Sequence, residues 1–294
     1  MKKINIPIHI IMLLMLQACF IYNDFENEAE IPRLPYTPKL AVECYLEPGK
    51  PYRLLLTQTV DYFDTAIVSS VAAAQVKIVH GNNTQILTFS GARTNSYAKI
   101  YNYRSNTLVP NDTLNAFELN ITDTYGNNIT ASTYIPGDIR LDTMYYEVNT
   151  EIKQDSVLKK INFRAKITVQ NEIDDVYRLF FNRGSSFSDT LLNTRYNQIH
   201  IDTTKFVSQT DTIYIFTDAG FRSGDTVTIN LHRSTKDYYY YYRTTRSAFF
   251  ANLNPFSTPQ AIVSNIKGGI GIFTGMRTWR KKIVLGDKST GVEF

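Results

Sequence analysis

From Lys39 onward apolar and polar residues take turns, and this period of two is the feature that most limits what the chain can become. Leu40, Val42, Cys44 and Leu46 fall on one face, and Tyr52, Leu54 and Leu56 follow a Pro48-Gly-Lys-Pro51 turn. An alternation of this kind describes a strand with one face buried and the other wet. It recurs at Val76 and Ile78, breaks at Gly81-Asn82-Asn83, and resumes from Ile86 to Phe89 and at Phe117, Leu119 and Ile121. Asp123 to Asn128 then reads as a hairpin turn into Ile129 to Ile135. In the second half Ile161, Phe163, Ala165, Ile167 and Val169 alternate with polar residues, and further strands are expected at Val176 to Asn182, Gln198 to Ile201, Thr212 to Thr217 and Thr226 to His232. The 20 tyrosines and 17 phenylalanines suit strands as well.

The expectation is a mainly β protein of two β-sandwich-like domains. Residues 39–136 resemble an immunoglobulin or carboxypeptidase-regulatory-like module. Pro136-Gly137-Asp138 marks the boundary, residues 137–276 form a second β domain, and residues 277–294 a basic C-terminal segment. One helix is expected in the second domain. Ser234 to Asp237 can cap a run of five tyrosines, Tyr238, Tyr239, Tyr240, Tyr241 and Tyr242, that continues to the stop at Asn254-Pro255. Tyr238, Tyr242, Phe249 and Leu253 can share one helical face. Five consecutive tyrosines point all round a helix, so either they pack across a sheet end or some of them meet a partner.

The N-terminus carries a different signal. Lys2 and Lys3 precede an apolar stretch from Ile4 to Leu16, too short for a good membrane span, and Leu16-Gln17-Ala18 leads into Cys19. The last four residues resemble the lipobox of bacterial lipoproteins, which implies that residues 1–18 are a signal peptide and that Cys19 is lipidated. Residues 19–38 carry Asp24, Glu26, Glu28 and Glu30 and then Pro32, Pro35 and Pro38, the composition of a solvated, stiffened tether. Acids soon after the cysteine also resemble the surface-export signal of Bacteroidota lipoproteins, which implies an outer-membrane, surface-facing location.

Loss of residues 1–18 removes two lysines and no acid, so 31 − 2 basic residues face 27 acidic ones and the net charge is +2. A nearly neutral chain gives no footprint for nucleic acid. With Cys19 lipidated, Cys44 has no partner for a disulfide, and in an alternating strand it reads as a small buried hydrophobe.

The segment Asn254-Pro255-Phe256 through Gly268, Gly269, Gly271 and Phe273 resembles the C-terminal signature of a Bacteroidota lipoprotein family, domain-of-unknown-function family 4249. Lys39 to Leu46, Phe216-Thr-Asp218 before Gly224, and the tyrosine helix fit the same likeness, which spans Lys39 to Gly275. Thr258 stands before Pro259 where that family leads one to expect an acid. The resemblance implies an accessory lipoprotein beside a TonB-dependent outer-membrane transporter; the alternative is a cell-surface adhesion or structural module.

Signs of catalysis are few. Gly268 to Gly275 has the glycines of a dinucleotide loop but lacks the preceding strand and following helix, so a flattened strand that lets another backbone or side chain approach closely is the better account, with Tyr238 to Tyr242 the expected bulky neighbours of Gly268, Gly269 and Gly271. His80, His200 and His232 fall in no metal-ligand spacing, and there is no Gly-x-Ser-x-Gly elbow. The expectation is therefore no enzyme, cofactor or metal. Eight Asp-Thr or Asp-Ser pairs precede an apolar residue or threonine, with Thr65, Thr113, Thr143, Ser156, Thr190, Thr203, Thr212 and Thr226 as acceptors. They resemble the O-glycosylation motif of Bacteroidota periplasmic proteins, although aspartate before Thr and an aliphatic residue is also how a turn passes into a strand.

Overall fold

A computed structural model describes residues 35–61, 64, 69–94, 100–138, 143–153, 156–168, 175–183, 198–202, 210–215, 221–253, 256–258 and 260–292. Cys19 and the rest of the tether up to residue 34, together with Thr65, Thr190, Thr203, Asn254 and Pro255, lie outside the described residues.

Most described residues are in strands, which form a large curled sheet and a smaller one. In chain order the strands are β1 (Leu40–Leu46), β2 (Pro51–Gln58), β3 (Ser69–Ser70), β4 (Gln75–His80), β5 (Asn83–Thr94), β6 (Ile100–Leu108), β7 (Phe117–Thr122) and β8 (Asn128–Thr133). They continue with β9 (Thr143–Lys153), β10 (Ser156–Thr168), β11 (Asp175–Arg183), β12 (Gln198–Asp202), β13 (Thr210–Ile215), β14 (Thr226–Thr235), β15 (Ile270–Val284) and β16 (Thr290–Val292). The large sheet runs β12-β11-β14-β15-β1-β2-β6-β5-β4-β7-β8, with β3 beside β2, and the small one β13-β10-β9-β16. The described helix, α1 (Lys236–Asn252), lies over β15, β14 and β11.

The alternation read from the sequence is the alternation of burial. β1 is buried at every second residue, as are β7 and β8. Leu54 and Leu56 of β2, Val76 and Ile78 of β4, Phe117, Leu119 and Ile121 of β7, and Ile129 of β8 meet β1 and Phe273 in one core. Each such side chain contributes about 1.5–3 kcal/mol on leaving water. Cys44 is fully buried there and donates to the Arg53 carbonyl at 3.4 Å, and burial pushes its thiol well above the ordinary cysteine range.

β15 joins the two halves of the chain. Its first six residues pair parallel with β1, from Ala41 with Ile270 to Leu46 with Gly275, and its remainder pairs antiparallel with β14. The sheet therefore continues across the expected boundary at 136/137, and Pro38–Phe294 forms one compact unit. Residues 277–294 are corrected in the same way: Arg277 to Lys282 belong to β15 and Thr290–Val292 to β16, because a strand interior to the sheet is held by its ladder whatever charge its outer face carries.

The curl brings β8 back onto β15. Thr130 and Lys267 exchange backbone hydrogen bonds of 3.0 and 2.8 Å, and Gly275 N donates to Thr133 Oγ1. The glycines of this stretch make the approach possible. Gly271 has φ +121° and a Cβ there would meet the Val42 backbone, while at Gly269 it would stand 2.6 Å from the Leu40 carbonyl. The neighbours at Gly268, Gly269 and Gly271 are thus backbone and Ile129, in β1 and β8, and not the tyrosine side chains expected there.

Candidate functional site

Helix α1 follows β14 without a loop. Thr235 is both the last strand residue and the N-cap, its Oγ1 accepting from Tyr238 N at 3.4 Å while sharing a buried 2.9 Å hydrogen bond with Thr274 of β15. Asp237 in the first turn complements the positive end of the helix dipole. The cap expected from Ser234 to Asp237 is thus Thr235.

The five tyrosines divide by what they touch. Tyr238, Tyr239 and Tyr242 are buried. Arg178 of β11, itself 2% exposed, donates to Tyr238 Oη at 2.9 Å and lies 4.9 Å over the Tyr242 ring. The hydrogen bond and the ring face replace part of the hydration a buried guanidinium gives up. Tyr45 of β1 stands edge-on to Tyr238 with ring centres 6.1 Å apart. Arg243 and Arg246, one turn further on, donate to Tyr239 Oη and Tyr242 Oη at 3.4 and 3.3 Å.

Tyr241 turns toward β1. Its hydroxyl donates to Glu43 Oε1 at 3.0 Å, and Tyr45 donates to Glu43 Oε2 at 3.1 Å, so one carboxylate is gripped by two phenols. Burial first, and then the Glu43 charge, raise both phenols above the ordinary tyrosine range. Beside this grip is a cavity of about 80 Å³ lined by Glu43, Tyr241, Leu55, Ile262 and Gly271 among others. Ligand sites run to roughly 300–1,000 Å³, so this space is a packing gap. Tyr240 alone of the five is exposed.

Beyond Tyr242 the helix becomes more open to solvent. Phe249 and Phe250 are exposed, Leu253 is 63% exposed and Phe256 96%, and Ile262 and Val263 in the following segment are exposed too. Of the four residues that can share one helical face, Tyr238 and Tyr242 are thus buried, whereas Phe249 and Leu253 are partly open to solvent. Val263 N donates to Thr244 Oγ1 at 3.0 Å, which ties that segment to the middle of the helix. The result is an aromatic and aliphatic surface with Arg243 and Arg246 at its margin. The sequence showed these residues, but not their exposure.

Of the candidate acceptors, Thr113 is exposed in a tight turn and Thr226 is half-buried at the start of β14, while Thr143, Ser156 and Thr212 lie in β9, β10 and β13. The Thr113 turn is built by Asp112, whose Oδ1 accepts from Leu114 N at 2.8 Å and whose Oδ2 accepts from Asn115 Nδ2 at 2.8 Å. Those bonds, led by the Asn115 side chain, lower its carboxyl to about 2. His80, stacked on Phe117, lies 3.1 Å from the same carboxylate. Among the described residues no three His, Cys, Asp or Glu side chains are grouped to hold a metal ion.

Residues 26–282 match a family model described as Domain of unknown function (DUF4249). No curated protein matches the chain. Among solved structures, a chain described as "Cytokine receptor complex - Crystal form 1A" is similar over 68% of this chain and 86% of its own, at 9% identity and a TM-score of 0.23.

Proposed function

The chain belongs to the DUF4249 family, and from that premise we propose that it is an outer-membrane lipoprotein, anchored through Cys19, that works as a binding accessory beside a TonB-dependent transporter. The observation that carries the binding role is the exposed surface formed by Phe249, Phe250, Leu253 and Phe256 with Ile262 and Val263. Exposed apolar residues gathered at one end of a helix with a polar margin mark an interaction site, and exposed aromatics with arginine beside them are what interface hot spots are made of. Tyr238, Tyr239 and Tyr242, which are buried, hold the helix that carries this surface.

Supporting the anchor is the run Leu16-Gln17-Ala18-Cys19 after a basic and apolar leader. Among the described residues no helix is long and apolar enough to cross a membrane. Two or three acyl chains at about 0.8 kcal/mol per buried methylene would hold such a domain on a bilayer almost permanently. Thr113, exposed and followed by Leu114 at 92% exposure, is the O-glycan acceptor in this reading, and an unmodified Thr113 peptide from the native protein would remove it.

Two measurements test the reading separately. Palmitate labelling should disappear in Cys19→Ala, and undiminished labelling would refute the anchor. Affinity purification from the native membrane should recover the transporter, and Leu253→Ser with Phe256→Ser should abolish that recovery with the melting temperature little changed, since Leu253 is 63% and Phe256 96% exposed. Equal recovery with the double variant would refute the binding surface.

A further inference from the structure

On the outer face of β2, β6 and β5 lie three arginines, none with an acidic cross-strand partner among the described residues. Arg53 of β2 and Arg104 of β6 are direct cross-strand partners, a placement in which like charges repel and weaken the sheet. Arg93 of β5 is in turn the partner of Tyr101 in β6, and the Arg53 guanidinium stands 5.0 Å over that same ring. None of the three forms an ion pair with a described residue. The acid on β1 nearest in register, Glu43, is engaged by Tyr45 and Tyr241.

The backbone is irregular at this point. β5 shifts register between Phe89 and Arg93, with Gly91 at φ +71°. Where the β2–β6 ladder ends at Leu54 and Tyr103, the buried Asn102 side chain takes over, donating to the Leu56 carbonyl at 2.7 Å and accepting from Leu56 N at 2.8 Å. Bulges re-aim side chains and gather at functional sites. Here they leave a groove of about 550 Å³ lined by Ala92, Arg93, Ile100, Tyr101 and Arg104.

We propose that this groove binds an organic ligand bearing carboxylate, sulfate or phosphate groups. Guanidinium groups pair with such oxyanions through two parallel hydrogen bonds, and an anion held by Arg93 and Arg104 in the groove wall would also offset the repulsion between Arg104 and Arg53 beside it. The groove falls within the size range of ligand sites and exceeds what a lone inorganic ion fills. Ile100, exposed, and the Tyr101 ring offer apolar wall to the ligand's carbon body. The site uses no residue of α1 or of the surface proposed to take a protein partner, so either can fail without the other.

The test is calorimetric titration of the full chain at low ionic strength with four probes: an oligogalacturonate, a sulfated oligosaccharide, a phosphorylated sugar, and a neutral oligosaccharide of matching length. One or more charged probes should bind at least about tenfold more tightly than the neutral one, and the preference should shrink as salt screens the arginines. Which of the three binds best identifies the oxyanion. Arg104→Glu should weaken that binding at least about tenfold and, by placing an acid opposite Arg53, keep or raise the melting temperature. Arg93→Gln, at an exposed position, should weaken binding as well, and it decides the matter alone if the first variant does not fold. No preference for any charged probe, or unchanged binding in Arg93→Gln, would overturn the proposal.

Discussion

Gly271 joins a left-handed φ of +121° to direct contact with the Val42 backbone, so a side chain there meets two obstacles at once. Gly271→Ala should cost at least about 2 kcal/mol in urea denaturation, from backbone strain together with overpacking; a loss within error would mean that β1 and β15 can separate locally at little cost. Asp112 gives the second expectation at this scale. Its carboxyl is lowered in the fold from 3.8 to about 2, so the stability it contributes is present above the unfolded value and is lost as pH falls through the folded one. The melting-temperature difference between the protein and Asp112→Asn should be steady above about pH 5 and fade as pH falls toward about 2. A difference that grows on acidification would reverse the assignment.

Helix α1 depends on one residue for its start. Thr235→Ala removes the oxygen that accepts from Tyr238 N and the partner of Thr274, and should cost about 0.5–2 kcal/mol, with the same change at exposed Thr258 as a neutral control. This element shows what a sequence discloses and what it hides. The cap and the run of tyrosines are local, and a reader of the sequence finds them. The residues that hold the tyrosines, Arg178 and Glu43, lie 60 and 198 positions away, and no local pattern announces such a meeting. Strands divide in the same way. β1, β7 and β8 bury one face and read clearly, whereas β14 is buried on both, with Asn230, His232 and Ser234 inside, and only part of it could be traced. In β15 the charged half from Arg277 to Lys282 imitates a basic tail because its cations lie along a partly exposed face. The opposition of Arg53 and Arg104 appears only once register is known, since no spacing along the chain encodes it.

At the scale of the molecule, the β1–β15 ladder makes the early and late parts of the chain depend on each other. Neither half should fold alone: residues 39–136 made separately would lack the strand that covers one edge of β1, and the full chain should melt in a single transition with coincident near- and far-ultraviolet signals. Two separated transitions would restore a boundary at 136/137. The same ladder decides how the protein answers to being pulled. The chain enters the fold at Lys39 and passes at once into β1, a strand with β15 on one side and β2 on the other. Tension applied at that end along the axis of β1 would load both ladders in shear, so that their hydrogen bonds would yield together, whereas an edge strand would peel away one bond at a time. In the anchoring proposed above, the attachment would fall at a point of high mechanical resistance.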